Sequence, residues 1–286
     1  ATIAGRMAQH YRIMGPYRTW RPATSGEKTS MMVWNDTGET RISVTVPDRP
    51  ALLSDLRQRL RSGKGFAVAT LNLDHVVKLR KHPEFRAAYA RHTHVTADGN
   101  PVVWLSRLAG QRDVSLVPGS ELVDPVAALA AETGVTVALC GATAASLDAA
   151  GAALASRYPG LRVVLKLAPP MGFDPVGDEA DQAIAAIGES GAGLVFLALG
   201  APKQERFAAR ALASLPGTGF LSVGAGLDFL SGAQRRAPRW MRILAAEWLW
   251  RMLSDPSRLA LRYGACIAVL PGLIGRALGT RMGLSA

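Results

Sequence analysis

The sequence predicts an α/β protein, with a mainly parallel sheet carrying helices on both faces and a helical appendage at the C-terminal end. Three observations predict it. From Arg41 to Gln234, compact apolar runs of buried-strand type alternate with amphipathic and Ala-rich runs of helical length. Hydrophobic residues make up 49% of the 286 residues and charged ones 19%, which is enough to bury a core and too apolar for a disordered chain. Residues 235–286 are instead rich in arginine and tryptophan. The length suits one large domain or two small ones.

Taken in order, residues 1–40 are polar and irregular, with Gly15, Pro16, Pro22, Ser25 and Gly26 among single aromatics, and read as an N-terminal arm. Ile42 to Val46 reads as a strand, Ala51 to Arg61 as a helix, Phe66 to Leu71 as a strand and His75 to Arg91 as a helix. Val135 to Leu139, Arg162 to Leu167, Leu194 to Leu199 and Phe220 to Val223 follow as strands, separated by helices around 143–157, 178–189 and 203–214. This alternation over 41–234 implies crossover units and parallel strands.

In such sheets a ligand sits beyond the carboxyl ends of the strands, so the turns there are where chemistry belongs. They hold Thr70 and Asn72, then Asp98 in an Ala-Asp-Gly turn, Gly141, the run Gly200-Ala201-Pro202-Lys203-Gln204-Glu205, and Gly224 with Asp228. Gly119-Ser120 before Glu121 offers one more such cap. Several of these join glycine to a helix start, where backbone N–H groups present about half a positive charge and a phosphate can approach closely. The alternative is that glycine and serine only cap helices, as they do in any α/β protein.

The net charge is +11, and residues 235–286 hold nine arginines against Glu247 and Asp255, so most of the excess lies in the tail. A block of this kind suits a polyanion: nucleic acid, an anionic membrane surface or a substrate diphosphate. Trp240, Trp248, Trp250 and Tyr263 stand beside the arginines, and an uncharged apolar stretch from Gly264 to Gly275 follows. That stretch is shorter than the roughly 20 residues of a spanning helix and is interrupted by Pro271 and Gly272. It favours an element lying in the headgroup layer over a nucleic-acid contact, with each basic residue adding about 1 kcal/mol of attraction to anionic lipid. The alternative is a helix docked on its own domain through its aromatics.

Several chemistries are disfavoured. Cys140 and Cys266 form no C-x-x-C pair, which argues against a disulfide scaffold or a cysteine-built zinc site and fits a reducing compartment. No apolar signal core follows Ala1, so the protein is expected in or facing the cytoplasm. Gly224-Ala225-Gly226-Leu227-Asp228-Phe229 begins like a dinucleotide fingerprint but has Phe229 at its sixth position, leaving an NAD-linked oxidoreductase as a weak rival. P-loop and nucleophile-elbow motifs are missing. His75, His82, His92 and His94 lack a completing carboxylate or cysteine and read as surface or helix-end histidines, so no metal is expected. A D-x-D carboxylate pair is also missing. A noncatalytic basic module that binds membrane or nucleic acid is the remaining rival.

Taken together, Thr70-Leu71-Asn72, Ala97-Asp98-Gly99 and Gly200-x-Pro202-Lys203-Gln204-Glu205 resemble the WecG/TagA/CpsF glycosyltransferases, family 26. The most specific part of the likeness is Gly224-x-Gly226-x-Asp228-Phe229-x-x-Gly232, then Arg236-Ala237-Pro238-x-Trp240, Glu247-Trp248, Arg251, Pro256, Arg258, Arg262 and Tyr263. The likeness spans about residues 41–263, and the arm before it and the apolar tail after it look like additions.

The resemblance implies a Rossmann-like catalytic domain of the GT-E kind over 41–234 and a membrane-associating appendage over 235–286. It implies an inverting, metal-independent transferase without a cofactor, moving a sugar from a UDP-sugar to a polyprenyl-diphosphate-linked saccharide in surface or exopolysaccharide synthesis. The donor would be UDP-N-acetylmannosamine or its uronic acid, or UDP-glucose or glucuronate. The site would lie at the cytoplasmic face of the plasma membrane, with no nucleic-acid partner and with homo-oligomerisation left open. By the likeness Asp98 matches the general base, and Thr70 and Asn72 match polar residues beside it. Gln204 matches a pocket residue, and Arg236, Arg239, Arg251, Arg258 and Arg262 match groups facing the diphosphate. Ser120, Gly141, Gly200, Lys203, Glu205, Gly224 and Asp228 complete the expected binding edge.

Overall fold

The computed structural model describes residues 31–35, 41–234, 237–238, 241, 250, 252 and 256–284. Helix α1 (Arg49–Ser62) leads into β1 (Phe66–Leu71), α2 (Leu73–Lys81), α3 (Pro83–Ala90), β2 (His94–Ala97) and α4 (Asn100–Leu108). A 3₁₀ turn (Gly119–Glu121) and α5 (Val123–Thr133) precede β3 (Val137–Gly141), α6 (Ala144–Arg157), β4 (Val163–Leu167) and α7 (Asp178–Glu189). Then come β5 (Leu194–Ala198), α8 (Lys203–Ser214), β6 (Gly219–Ser222), α9 (Gly226–Ser231) and α10 (Pro256–Arg281). Among the described residues the sheet has six strands in the order β2-β1-β6-β5-β3-β4, and every pairing is parallel. The expected α/β architecture is therefore present.

Strand composition follows from position. Both faces of β1 are covered, and every residue from Phe66 to Leu71 is buried. Phe66 and Val68 point into a core under α1, α5 and α6, while Ala67 meets the α7–α8 layer and Ala69 and Leu71 the α2–α3–α4 layer. A two-residue period with both faces apolar gives an unbroken hydrophobic run. Edge strand β4 alternates instead, with Val164 and Lys166 facing out. Helix starts are fixed locally: the Asp48 carboxylate accepts from the Ala51 N–H at 2.8 Å, and the Thr143 hydroxyl accepts from the Ser146 N–H at 3.2 Å.

Four elements differ from the sequence expectation. Residues 42–46 bury Ile42, Val44 and Val46 in strand-like alternation, but the N–H groups of Thr45 and Val46 both donate to Val95 O, so no ladder forms. The helix expected from His75 to Arg91 is two helices, because Pro83 holds His82 extended (φ −118°, ψ 99°). Strand β3 lies two residues later than expected, since Val135 and Thr136 serve the loop that bonds Gly191 and Gly193. The apolar tail is one continuous helix of 26 residues, with Pro271 inside it on the exposed side.

Helix α10 packs on α2 and α4. Leu273 and Ala277 are fully buried there, in the same cluster as Met32 and Trp34 of the stretch assigned to the N-terminal arm. Arg276 donates to Val33 O at 3.2 Å. The other side of the helix is apolar and open: Leu261 is 85% exposed, Ile267 59% and Leu278 40%. Leu259–Arg281, within which an 18-residue window has mean hydropathy 1.3, is long and apolar enough by length and composition to cross a membrane, whereas the sequence reads as a run too short and too broken.

Candidate active site

The carboxyl ends of β1, β2 and β6 meet at one corner. Thr70 is buried and pairs with Thr96 of β2. One residue past β2, the Asp98 N–H donates to Leu71 O at 2.8 Å, which holds Asp98 half-buried at the sheet edge. Gly99, not Asp98, occupies the cap position of α4. The 3₁₀ turn closes this corner from the other face. A Cβ on Gly119 would stand 2.6 Å from Ser222 O and 3.2 Å from the Thr70 side chain, so only glycine lets the turn sit against both strand ends. Ser120 follows, and its Cα would lie 3.2 Å from a Cβ on Gly226. Glu121 is held by Arg49 Nη2 at 2.5 Å.

The neighbouring turns extend the edge. Val223 N–H donates to Leu197 O, bringing Gly224 beside the end of β5. Asp228, in α9, accepts from Gln234 Nε2 at 3.0 Å and so ties down the start of the segment leading to the appendage. Gly141 (φ +107°) brings the ends of β3 and β5 together, since a Cβ there would lie 2.6 Å from Ala198 O. Gly200 receives the Gln204 N–H at the start of α8, where Lys203 is half-buried. At about 4.8 Å per strand, β5 lies roughly 14 Å from β2 and β3 roughly 19 Å. Thr70, Asp98, Ser120 and Gly224 are thus grouped, whereas Gly141 and Gly200 would be reached from Asp98 only by an extended ligand.

Asn72 is the N-cap of α2, its Oδ1 accepting from the His75 N–H at 3.0 Å, so one end of this expected site residue is engaged in the helix start. Arg262 reaches the same turn: its Nη2 lies 2.9 Å from Asp74 Oδ2, an oxygen that Lys78 also holds. Arg236, Arg239 and Arg251 lie outside the described residues, as does the Arg258 side chain.

Behind this edge lies a polar cluster that the sequence does not announce. His75, read as a surface or helix-end residue, is buried, and its Nδ1 pairs with the Tyr89 hydroxyl at 2.7 Å. Burial drives its pKa down to about 3, with Lys78 adding to the effect, so the ring is neutral. His92 and His94 are buried as well. His94 Nε2 pairs with Asp55 Oδ2 at 2.7 Å, and that hydrogen bond is the main reason the Asp55 pKa falls to about 2. His94 opens β2, so this pair belongs to the amino end of the sheet. A depression of about 420 Å³ bordered by Ser54, Arg57 and Arg61 lies toward that end too, beside Glu132 at the end of α5. On α8, Gln204 and Glu205 are buried, Glu205 with no exposed surface. Burial pushes the Glu205 pKa up to about 7, against a lowering by the Gln204 hydrogen bond. The i,i+3 step from Asn72 to His75 was the readable hint; the Tyr89 link runs across the break at Pro83.

The family model described as "Glycosyl transferase WecG/TagA/CpsF family" matches residues 40–285. The N-acetylglucosaminyldiphosphoundecaprenol N-acetyl-beta-D-mannosaminyltransferases of Staphylococcus aureus strains MW2 and NCTC 8325 are each 29% identical over 199 residues, covering 70% of this chain and 76% of the relative. The enzyme of that name from Bacillus subtilis strain 168 is 26% identical over 196 residues, covering 68% and 73%. The matched span runs from the segment before α1 through the sheet and its carboxyl-end turns to α10, and the chain accordingly belongs to the WecG/TagA/CpsF family of glycosyltransferases.

Proposed function

We propose that the chain transfers a sugar from a UDP-sugar to a polyprenyl-diphosphate-linked saccharide at the cytoplasmic face of the plasma membrane, with inversion and without a metal ion. The observation that carries this reading is Asp98, held at the carboxyl edge by Leu71 O, at the corner where Gly119 closes on Thr70 of the neighbouring strand. In the reaction the acceptor hydroxyl oxygen bonds to the anomeric carbon from the side opposite UDP. Its proton passes to the Asp98 carboxylate, and the bond to the departing diphosphate oxygen breaks with its electron pair going to UDP. A base placed in this way contributes a factor of about 10²–10⁴. The charge on UDP is met by backbone N–H groups of the glycine turns and by appendage arginines, which bind phosphate in bidentate fashion.

The relatives' names support an N-acetylmannosaminyl group as the sugar moved, carried in this proposal by UDP, and an N-acetylglucosaminyl diphospholipid as acceptor; the uronic acid, UDP-glucose and UDP-glucuronate complete the panel to be tried. Residues 41–234 act as the catalytic domain and 235–286 as the membrane-associating appendage. The open apolar side of α10 and the arginine excess support that division. Purified protein incubated with vesicles carrying the diphospholipid acceptor should transfer one member of the panel at a rate unchanged by EDTA. Transfer of none of them, or loss of transfer on chelation, contradicts the proposal.

A further inference from the structure

Helix α10 meets the rest of the fold along one stripe. From Arg262, the residues at i+4, i+11 and i+15 are Cys266, Leu273 and Ala277, all close to whole turns, so the four share a face. Cys266, Leu273 and Ala277 are buried, as is Leu259 three residues before Arg262, and the helix packs on α2 and α4. Arg262 therefore stands in the packed stripe, not in the open one that carries Leu261 and Ile267. Its Nη2 lies 2.9 Å from Asp74 Oδ2, and Lys78, one turn further along α2, holds the same oxygen. The Asp74 side chain is only 12% exposed, that of Arg262 44%. Asp74, Arg262 and Lys78 all lie within electrostatic reach of the Cys266 thiol, so Arg262 and Cys266 of α10 face Asp74 and Lys78 of α2.

An arginine that binds a phosphate in bidentate fashion must offer its fork of donors to the ligand. A guanidinium laid on a largely buried carboxylate gives up a charge-assisted hydrogen bond when it turns away. The second half of α10 is held by the burial of Leu273 and Ala277, with Arg276 donating to Val33 O. The pair with Asp74 pins the first half to the opening turn of α2, whose cap Asn72 lies at the carboxyl end of β1. We propose that Arg262 is a positioning residue that acts through Asp74, docking the start of α10 on the catalytic edge, and that contact with the substrate diphosphate is left to the other appendage arginines. This departs from the family likeness, which sets Arg262 among the groups facing the diphosphate. Its effect on transfer rests on the sugar transfer proposed for this edge; the docking does not.

The test compares the full chain with Arg262→Met, Asp74→Asn, their double variant, Arg262→Lys and Lys78→Met, with melting temperature as a check on folding. Docking is read from the rate at which a maleimide labels Cys266, mapped by mass spectrometry, with Cys140, buried in β3, as the internal reference. Transfer is read as kcat and as KM for the diphospholipid acceptor in vesicles, and UDP affinity by calorimetry. Arg262→Met and Asp74→Asn should each raise Cys266 labelling and acceptor KM about tenfold, the scale of one charge-assisted hydrogen bond, with UDP affinity within about twofold. The double variant should add nothing to either. Arg262→Lys should stay within about threefold of the parent, because an ammonium keeps the ion pair, and Lys78→Met should match the parent. An Arg262 that bound the diphosphate would give opposite results: Arg262→Met would raise acceptor KM while Asp74→Asn left it unchanged or lowered it. That split, unchanged Cys266 labelling in both variants, or an equal effect of Lys78→Met, which would assign the role to α2 alone, overturns the proposal. Absence of transfer by the unmodified chain removes the underlying reading and the role in transfer with it, and the labelling then tests the docking by itself.

Discussion

Asp98 and Glu205 are two carboxyls at one end of one sheet, and their surroundings separate their roles. Asp98 is half-buried on a turn beyond a strand, which suits the part of general base proposed for it. Glu205 has no exposed surface, and burial raises its pKa from 4.5 to about 7. In the unfolded chain Glu205 ionises near 4.5, so between 4.5 and about 7 the folded state binds the extra proton and stability falls as pH rises. Glu205→Gln removes that loss. Chemical denaturation should find the variant more stable than the parent at pH 8 by an amount on the order of 3 kcal/mol, and equal to it near pH 4. Equal stability at both pH values would show that Glu205 is not buried in this way. Asp98 could be picked out from its Ala-Asp-Gly turn and from the family likeness, although the strand before it, His94-Val95-Thr96-Ala97, has no apolar run to announce it. Glu205 could not be read as buried, since Lys203-Gln204-Glu205-Arg206 looks like a solvated helix start, and only packing on α3 and β1 closes it off.

Among the elements, α10 links the fold to its surroundings. Its buried stripe of Leu273 and Ala277 joins α2, α4 and the 31–35 segment, and Arg262 joins it to the first turn of α2, whose cap is Asn72. The open stripe has nothing of the described chain against it at Leu261 and Ile267. Replacing Leu261, Ile267 and Leu278 together by serine should leave the melting temperature within about 2 °C and lower co-sedimentation with anionic vesicles several-fold. Unchanged co-sedimentation would mean that this stripe does not face lipid. The continuity of α10 was hidden in the sequence, because Pro271 and Gly272 read as breakers; Pro271 is accommodated on the exposed side of the helix. Pro83 had the opposite effect, ending a helix that hydrophobic periodicity alone would have continued.

At the scale of the molecule, the parallel sheet was legible because strands covered on both faces become unbroken apolar runs, and the carboxyl edge proposed as the site is the one that such a topology favours. The segment at 42–46 shows the limit: its alternation correctly gives burial, but pairing depends on where Val95 O lies. The cluster of His75, Tyr89 and Glu205 joins three helices and leaves no local pattern. The function proposed for the whole chain requires sheet edge and appendage to act on one lipid-bound substrate, with a single carboxylate removing the proton. The most direct measurement is sugar transfer to a diphospholipid acceptor in vesicles by the full chain and by Asp98→Asn. The account predicts a loss of at least about 10²-fold in rate, with UDP affinity within a few-fold and vesicle binding unchanged; transfer by Asp98→Asn at the parent rate would contradict it.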